Sequence, residues 1–144
     1  MTIVNEILNA AKEHALEIHV FSIDEFDEYF ENICKKFSNG ISKYPLWDNL
    51  VDFSSSSNEK GWSMIAQFVG NNKCILFLEK IEGQCAIELE NGDALNELLS
   101  NTFGYVFYVS NKDLEYLISF NDHDDLIGCG TAKKWIDELL RHPL

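Results

Sequence analysis

Tyr105-Val106-Phe107-Tyr108-Val109, Leu114-Glu115-Tyr116-Leu117-Ile118-Ser119-Phe120 and Leu126-Ile127-Gly128-Cys129-Gly130 follow one another, parted only by Ser110–Asp113 and by Asn121-Asp122-His123-Asp124-Asp125. Aromatic and β-branched residues dominate the first two runs, and such side chains suit a pleated sheet. The breaks are short and rich in Asn and Asp, which favour turns. Three successive strands are expected, with Tyr105–Val109 central in its sheet.

Working back, Ala86-Ile87-Glu88-Leu89-Glu90 alternates apolar and polar and reads as a half-buried strand. Trp62–Val69 and Lys73–Glu79 flank Gly70-Asn71-Asn72 and read as a hairpin. Asn91-Gly92 ends the Ala86 strand, and Asp93 is expected to cap a short helix running to about Asn101.

The N-terminal third is helical. Thr2 caps a first helix carrying Ile3, Ile7, Ala10, Ala11 and Ala15, expected to end near Ile18, with His19–Phe21 as an extended link. Ser22 and Glu25 stand at capping-box spacing ahead of Phe26, Tyr29, Phe30, Ile33 and Phe37, one apolar stripe. Asn39-Gly40 stops that helix. Residues 41–60 contain Pro45 and the Ser54–Ser57 run, read as a flexible loop. Thr131 caps a last helix with Trp135, Ile136, Leu139 and Leu140 on one face. Helices followed by strands joined through tight turns predict an α+β fold: an antiparallel sheet of about five or six strands with helices packed mainly on one face. At 144 residues, all of 1–144 is read as a single domain.

Charge narrows the function classes. Lys and Arg total 11 against 24 Asp and Glu, a net charge of −13, and the sole arginine is Arg141. Phosphate binding relies on arginine forks or dense lysine patches. This chain has neither, and its field repels nucleic acid and anionic lipid while attracting a basic protein. The plain alternative is that the acids only keep the chain soluble. Cys34, Cys74, Cys85 and Cys129 show no CxxC spacing and are read as small buried hydrophobes. The opening residues lack an export signal, and no apolar run suits a membrane span, so a cytoplasmic location is expected.

Two acidic clusters stand out. Asp24, Asp27, Glu28 and Glu31 fall at i, i+3, i+4 and i+7 on the second helix, with Glu25 beside them. Like charges at these spacings disfavour a helix by a few tenths of a kcal/mol per pair, and the helix dipole offsets part of this in the first turn. A solvated amphipathic helix and a face for a cationic partner both fit. Asp122, Asp124 and Asp125 surround His123, which reads as a solvated turn, a contact loop or a metal site. His14 and His19, five apart, suit no shared ligand. Gly128-Cys129-Gly130 reads as a tight turn into Thr131, with an activated thiol as the alternative. Trp47, Trp62 and Trp135 are expected at the core or its edge. No catalytic residue, metal ligand or cofactor is assigned.

Phe107-Tyr108-Val109 through Phe120–Gly130, on a small acidic chain poor in motifs, resembles the immunity proteins of bacterial toxin–immunity pairs, including those of contact-dependent growth inhibition. The likeness covers about the last third of the chain. It implies a cytoplasmic protein, not an enzyme, that binds one cognate toxin and blocks it. Many such toxins are nucleases with basic surfaces. No residue carries over by motif. The partner-binding candidates Asp24, Glu25, Asp27, Glu28, Glu31, Asp122, Asp124 and Asp125 come from charge placement alone. The alternatives are a small metal-dependent hydrolase built on His123, or a nucleic-acid mimic acting on several enzymes.

Overall fold

In the computed structural model, which describes residues 2–102 and 104–141, the chain is α+β. Helices are α1 (Ile3–Glu13), α2 (Ile23–Phe37), α3 (Ile65–Val69), α4 (Gly92–Ser100) and α5 (Thr131–Arg141). Strands are β1 (Ile18–Val20), β2 (Phe53–Ser57), β3 (Cys74–Phe77), β4 (Ala86–Leu89), β5 (Phe107–Ser110), β6 (Tyr116–Phe120) and β7 (Asp125–Gly130). They form one sheet of seven strands, not five or six, in the order β1-β4-β3-β5-β6-β7-β2. Every pairing is antiparallel. The β5–β6–β7 meander is the one expected from the apolar runs, and β5 takes the middle position.

The central strands lack alternation because both faces of the sheet are covered. Leu76, Val109 and Ile118 enter one buried cluster with residues of α1, α3, α4 and α5. Their neighbours Ile75, Phe77, Tyr108 and Leu117 enter a second with Phe26, Phe30, Ile33 and Phe37 of α2. Successive strand residues point to opposite faces, so a strand covered twice is apolar throughout. Trp62, Trp135 and Trp47 are half-buried at the edges of these clusters.

The N-cap at Thr2 and the capping box at Ser22 form where they were expected. Thr2 accepts the Asn5 N–H, and the Ser22 and Glu25 side chains exchange backbone bonds across the start of α2. At the end of α2, Asn39 and Gly40 both take left-handed backbone, φ 53° and 81°, and the Gly40 N–H returns to the Cys34 carbonyl at 2.8 Å. A Cβ on Gly40 would meet nothing within 4 Å. Gly40→Ala is therefore expected to cost only the left-handed penalty, about 1–2 kcal/mol, read as a lower urea midpoint. No loss would mean that the turn relaxes into another conformation.

Several expectations are corrected. Trp62–Val69 is not a strand but a 3-10 turn running into α3. Ile65 and Val69 are buried and Trp62 and Phe68 half-buried, a helical spacing rather than a period of two. β3 therefore has no hairpin partner before it and pairs with β4 and β5. The serine run is β2, an edge strand registered from Phe53↔Cys129 to Ser57↔Asp125. An edge strand needs only one ladder, and Ser54 Oγ also donates to Asp137 Oδ1 of α5. α1 stops at Glu13, short of Ile18, and Ile18–Val20 adds to the sheet beside β4. Asn91, not Asp93, caps α4, its Oδ1 accepting the Ala94 N–H at 2.8 Å. In α5, Ala132 and Ile136 are buried while Leu140 is exposed.

Candidate functional site

β3 ends at Phe77, and after Leu78 the next residue, Glu79, turns inward with only 4% of its surface exposed. Its Oε1 accepts the Leu46 N–H at 2.7 Å and the Tyr108 hydroxyl at 2.5 Å. The same hydroxyl accepts the Trp47 N–H at 3.0 Å. One carboxylate thus ties the 3-10 turn Leu46–Asn49 to the end of the sheet. Both donors to Glu79 are neutral. Burial pushes its carboxyl above the ordinary value; Tyr108 and Leu46 pull it back, and nearby Glu82 pushes it up again.

Glu79 lies against open space. Two adjoining clefts, of about 520 Å3 and about 230 Å3, share Tyr44, Glu79, Val106 and Asp122. The larger adds Glu82, Tyr105, Asn121 and Asp124, and the smaller adds Trp47 and His123. No lysine or arginine is among the described residues lining either cleft. Lys80, the nearest lysine in sequence, turns to Asp27 of α2 at 3.8 Å. Tyr44 is 60% exposed at the mouth.

One wall is the β6–β7 turn. Asn121 Oδ1 accepts the His123 and Asp125 N–H groups at 3.0 and 3.1 Å, which closes the turn. Asp124 takes left-handed backbone, φ 59°, which Asp tolerates. Asn121 is only 3% exposed, and its Nδ2 has no hydrogen-bond acceptor among the described residues. His123 meets the Trp47 ring edge-on at 5.7 Å and Asp122 at 3.8 Å.

The acidic residues singled out from sequence fall in two places. Asp122 and Asp124 line the cleft, while Asp125 begins β7 and is half-buried. Asp24, Glu25, Asp27, Glu28 and Glu31 lie on α2, and none of them lines the cleft. Three of these five have partners within the chain. Glu25 bonds the Ser22 N–H and His19, which hold its carboxyl below the ordinary value. Asp27 accepts from Gln84 at 2.8 Å as well as meeting Lys80, and Glu31 pairs with Lys35 at 3.1 Å. The helix face is therefore less bare than its sequence suggests. Glu79, Glu82, Tyr44 and Asn121 were not anticipated. The sole signal for Glu79 was a carboxylate closing the apolar run Cys74–Leu78.

The chemistry on offer is recognition of positive charge. Among the described residues no three His, Cys, Asp or Glu side chains are grouped so as to hold a metal ion. Cys129 is buried in β7, and burial pushes its thiol up to about 12, the reverse of an activated nucleophile. Gly130 beside it has φ 63°, and a Cβ there would come within 2.4 Å of the Glu115 carbonyl, so the glycine serves the tight entry into α5. Among the described residues no helix is long and apolar enough to cross a membrane. Compared with known proteins, the chain matches no family model, no curated protein and no solved structure.

Proposed function

We propose that this chain is a cytoplasmic immunity protein that binds and neutralises one cognate bacterial toxin with a basic surface, most simply a nuclease. The observation that carries the reading is the cleft itself. Glu79, Glu82, Asp122 and Asp124 meet there with Tyr44 and Trp47, without a lysine or arginine in the lining, on a chain of net charge −13. Carboxylates among aromatic rings suit cationic side chains, and a one-signed field speeds encounter with a basic protein. The exposed acids of α2 extend that field.

A metal-dependent hydrolase built on His123 is not favoured, since among the described residues the His123 ring meets only Asp122 and Trp47. A nucleic-acid mimic shares the charge but predicts several partners rather than one.

The tagged chain, expressed in its source cells, is expected to capture one basic toxin domain. Its association rate with that toxin should fall at least tenfold as salt rises from about 0.05 to about 0.5 M. Neutralising α2 with Asp24→Asn and Glu28→Gln should slow association and leave dissociation nearly unchanged. Capture of several unrelated nucleic-acid enzymes would favour the mimic. A rate indifferent to salt would remove the electrostatic basis of the reading.

A further inference from the structure

We propose that the Glu79 cleft is a socket for one arginine of a protein partner. Its guanidinium seats on Glu79 and Asp122 between the Tyr44 and Trp47 rings, and its own main-chain carbonyl accepts from Asn121 Nδ2. The proposal rests on the reading above that the partner is a basic protein, and it names the residue type that enters.

Four features choose this occupant. Glu79 is almost fully buried, yet among the described residues both of its hydrogen bonds fall on Oε1 and come from neutral groups. A buried carboxylate without a cation is expensive, and the cleft beside it is lined by further carboxylates and by no lysine or arginine. The aromatic walls select among cations: a planar guanidinium stacks on rings and forks to carboxylates, which an ammonium does less well. The fourth feature is Asn121. Its Oδ1 is held by the turn, and its buried Nδ2 has no acceptor among the described residues. An unmet buried donor costs about 1–3 kcal/mol. A metal ion or a simple amine brings no acceptor, whereas an amino-acid residue brings a cation and a carbonyl together.

The test uses N-acetyl-arginine N-methylamide as the probe. Its neutral urea counterpart, N-acetyl-citrulline N-methylamide, and guanidinium ion alone serve as controls. Binding is followed by 15N NMR at the Asn121 side-chain amide and at the Leu46 and Trp47 backbone amides. The arginine probe should move all three saturably, the citrulline probe should not, and guanidinium should leave the Asn121 amide in place. Glu79→Gln keeps an oxygen for Leu46 and Tyr108, and Asp122 is 71% exposed, so neither Glu79→Gln nor Asp122→Asn should disturb the fold. Each should weaken the arginine probe, Glu79→Gln by about tenfold or more. Equal shifts with citrulline, or undiminished binding in both variants, overturn the socket. An Asn121 shift from guanidinium alone overturns the carbonyl contact. The two readings fail separately. A captured toxin whose affinity ignores both substitutions removes the socket and leaves the toxin reading. Saturable arginine binding with no toxin captured does the reverse.

Discussion

Phe77→Ala is expected to destabilise the protein by about 3–5 kcal/mol. Phe77 is fully buried in β3, between Ala86 of β4 and Tyr108 of β5. Its ring stacks on Tyr108 at 5.2 Å and meets Tyr29 and Phe30 of α2 edge-on at 5.5 and 6.2 Å. Truncation therefore loses transfer energy, leaves a void, and strips α2 of a ring contact to the sheet. The sheet at this point is held by ladders on both sides, so the void has little room to collapse. A domain of this kind has about 5–15 kcal/mol in total, and the variant would keep a small share of it or none. Urea unfolding followed by circular dichroism should show a much lower midpoint with an unchanged slope. A loss below about 1 kcal/mol would mean that α2 closes over the gap and is not seated as described.

The elements legible in sequence are those whose local signal and tertiary setting agree. The N-cap at Thr2 and the capping box at Ser22 are purely local, and both formed. The β5–β6–β7 meander needs only apolar runs and tight turns, and its neighbours in sequence are its neighbours in space. Misreading began where tertiary context decides. Ser54–Ser57 has no apolar content to mark a strand and becomes one because β7 offers a free edge. Trp62–Val69 has strand-like composition but helical spacing, and spacing prevails once Ile65 and Val69 reach the core. The cleft was illegible for a different reason. Tyr44, Glu79, Tyr105 and Asp122 come from four separate stretches, and no local pattern links them. Charge counting named the part of the candidate cleft lining that lies in one turn, Asp122 and Asp124. It missed the buried half because a lone Glu after an apolar run looks like a strand boundary.

Tyr108→Phe should destabilise the protein by about 1–3 kcal/mol near neutral pH, and by less in acid. The hydroxyl donates to Glu79 and accepts from Trp47, so its loss leaves one buried acceptor and one donor short. The pH dependence comes from Glu79. Burial raises its carboxyl above the ordinary 4.5 while Tyr108 holds it back. A carboxyl raised on folding binds its proton more tightly in the folded state than in the unfolded chain. Its contribution to stability is therefore complete below 4.5 and drains away as pH rises through the folded value. Removing Tyr108's hydroxyl lifts that folded value further and makes the ionised form costlier still, so the gap to wild type widens with rising pH. Glu79→Gln removes the titration while keeping an oxygen for both donors. It should match wild type at low pH and exceed it in stability above the folded value, even as it empties the socket of charge. In the Glu79→Gln background, Tyr108→Phe should cost the same at every pH. Chemical denaturation from about pH 4 to about pH 8 reads all four proteins. A Tyr108→Phe penalty that is flat with pH in the wild-type background would show that Glu79 stays protonated in the folded protein, and a socket that needs its charge would then lose its anchor.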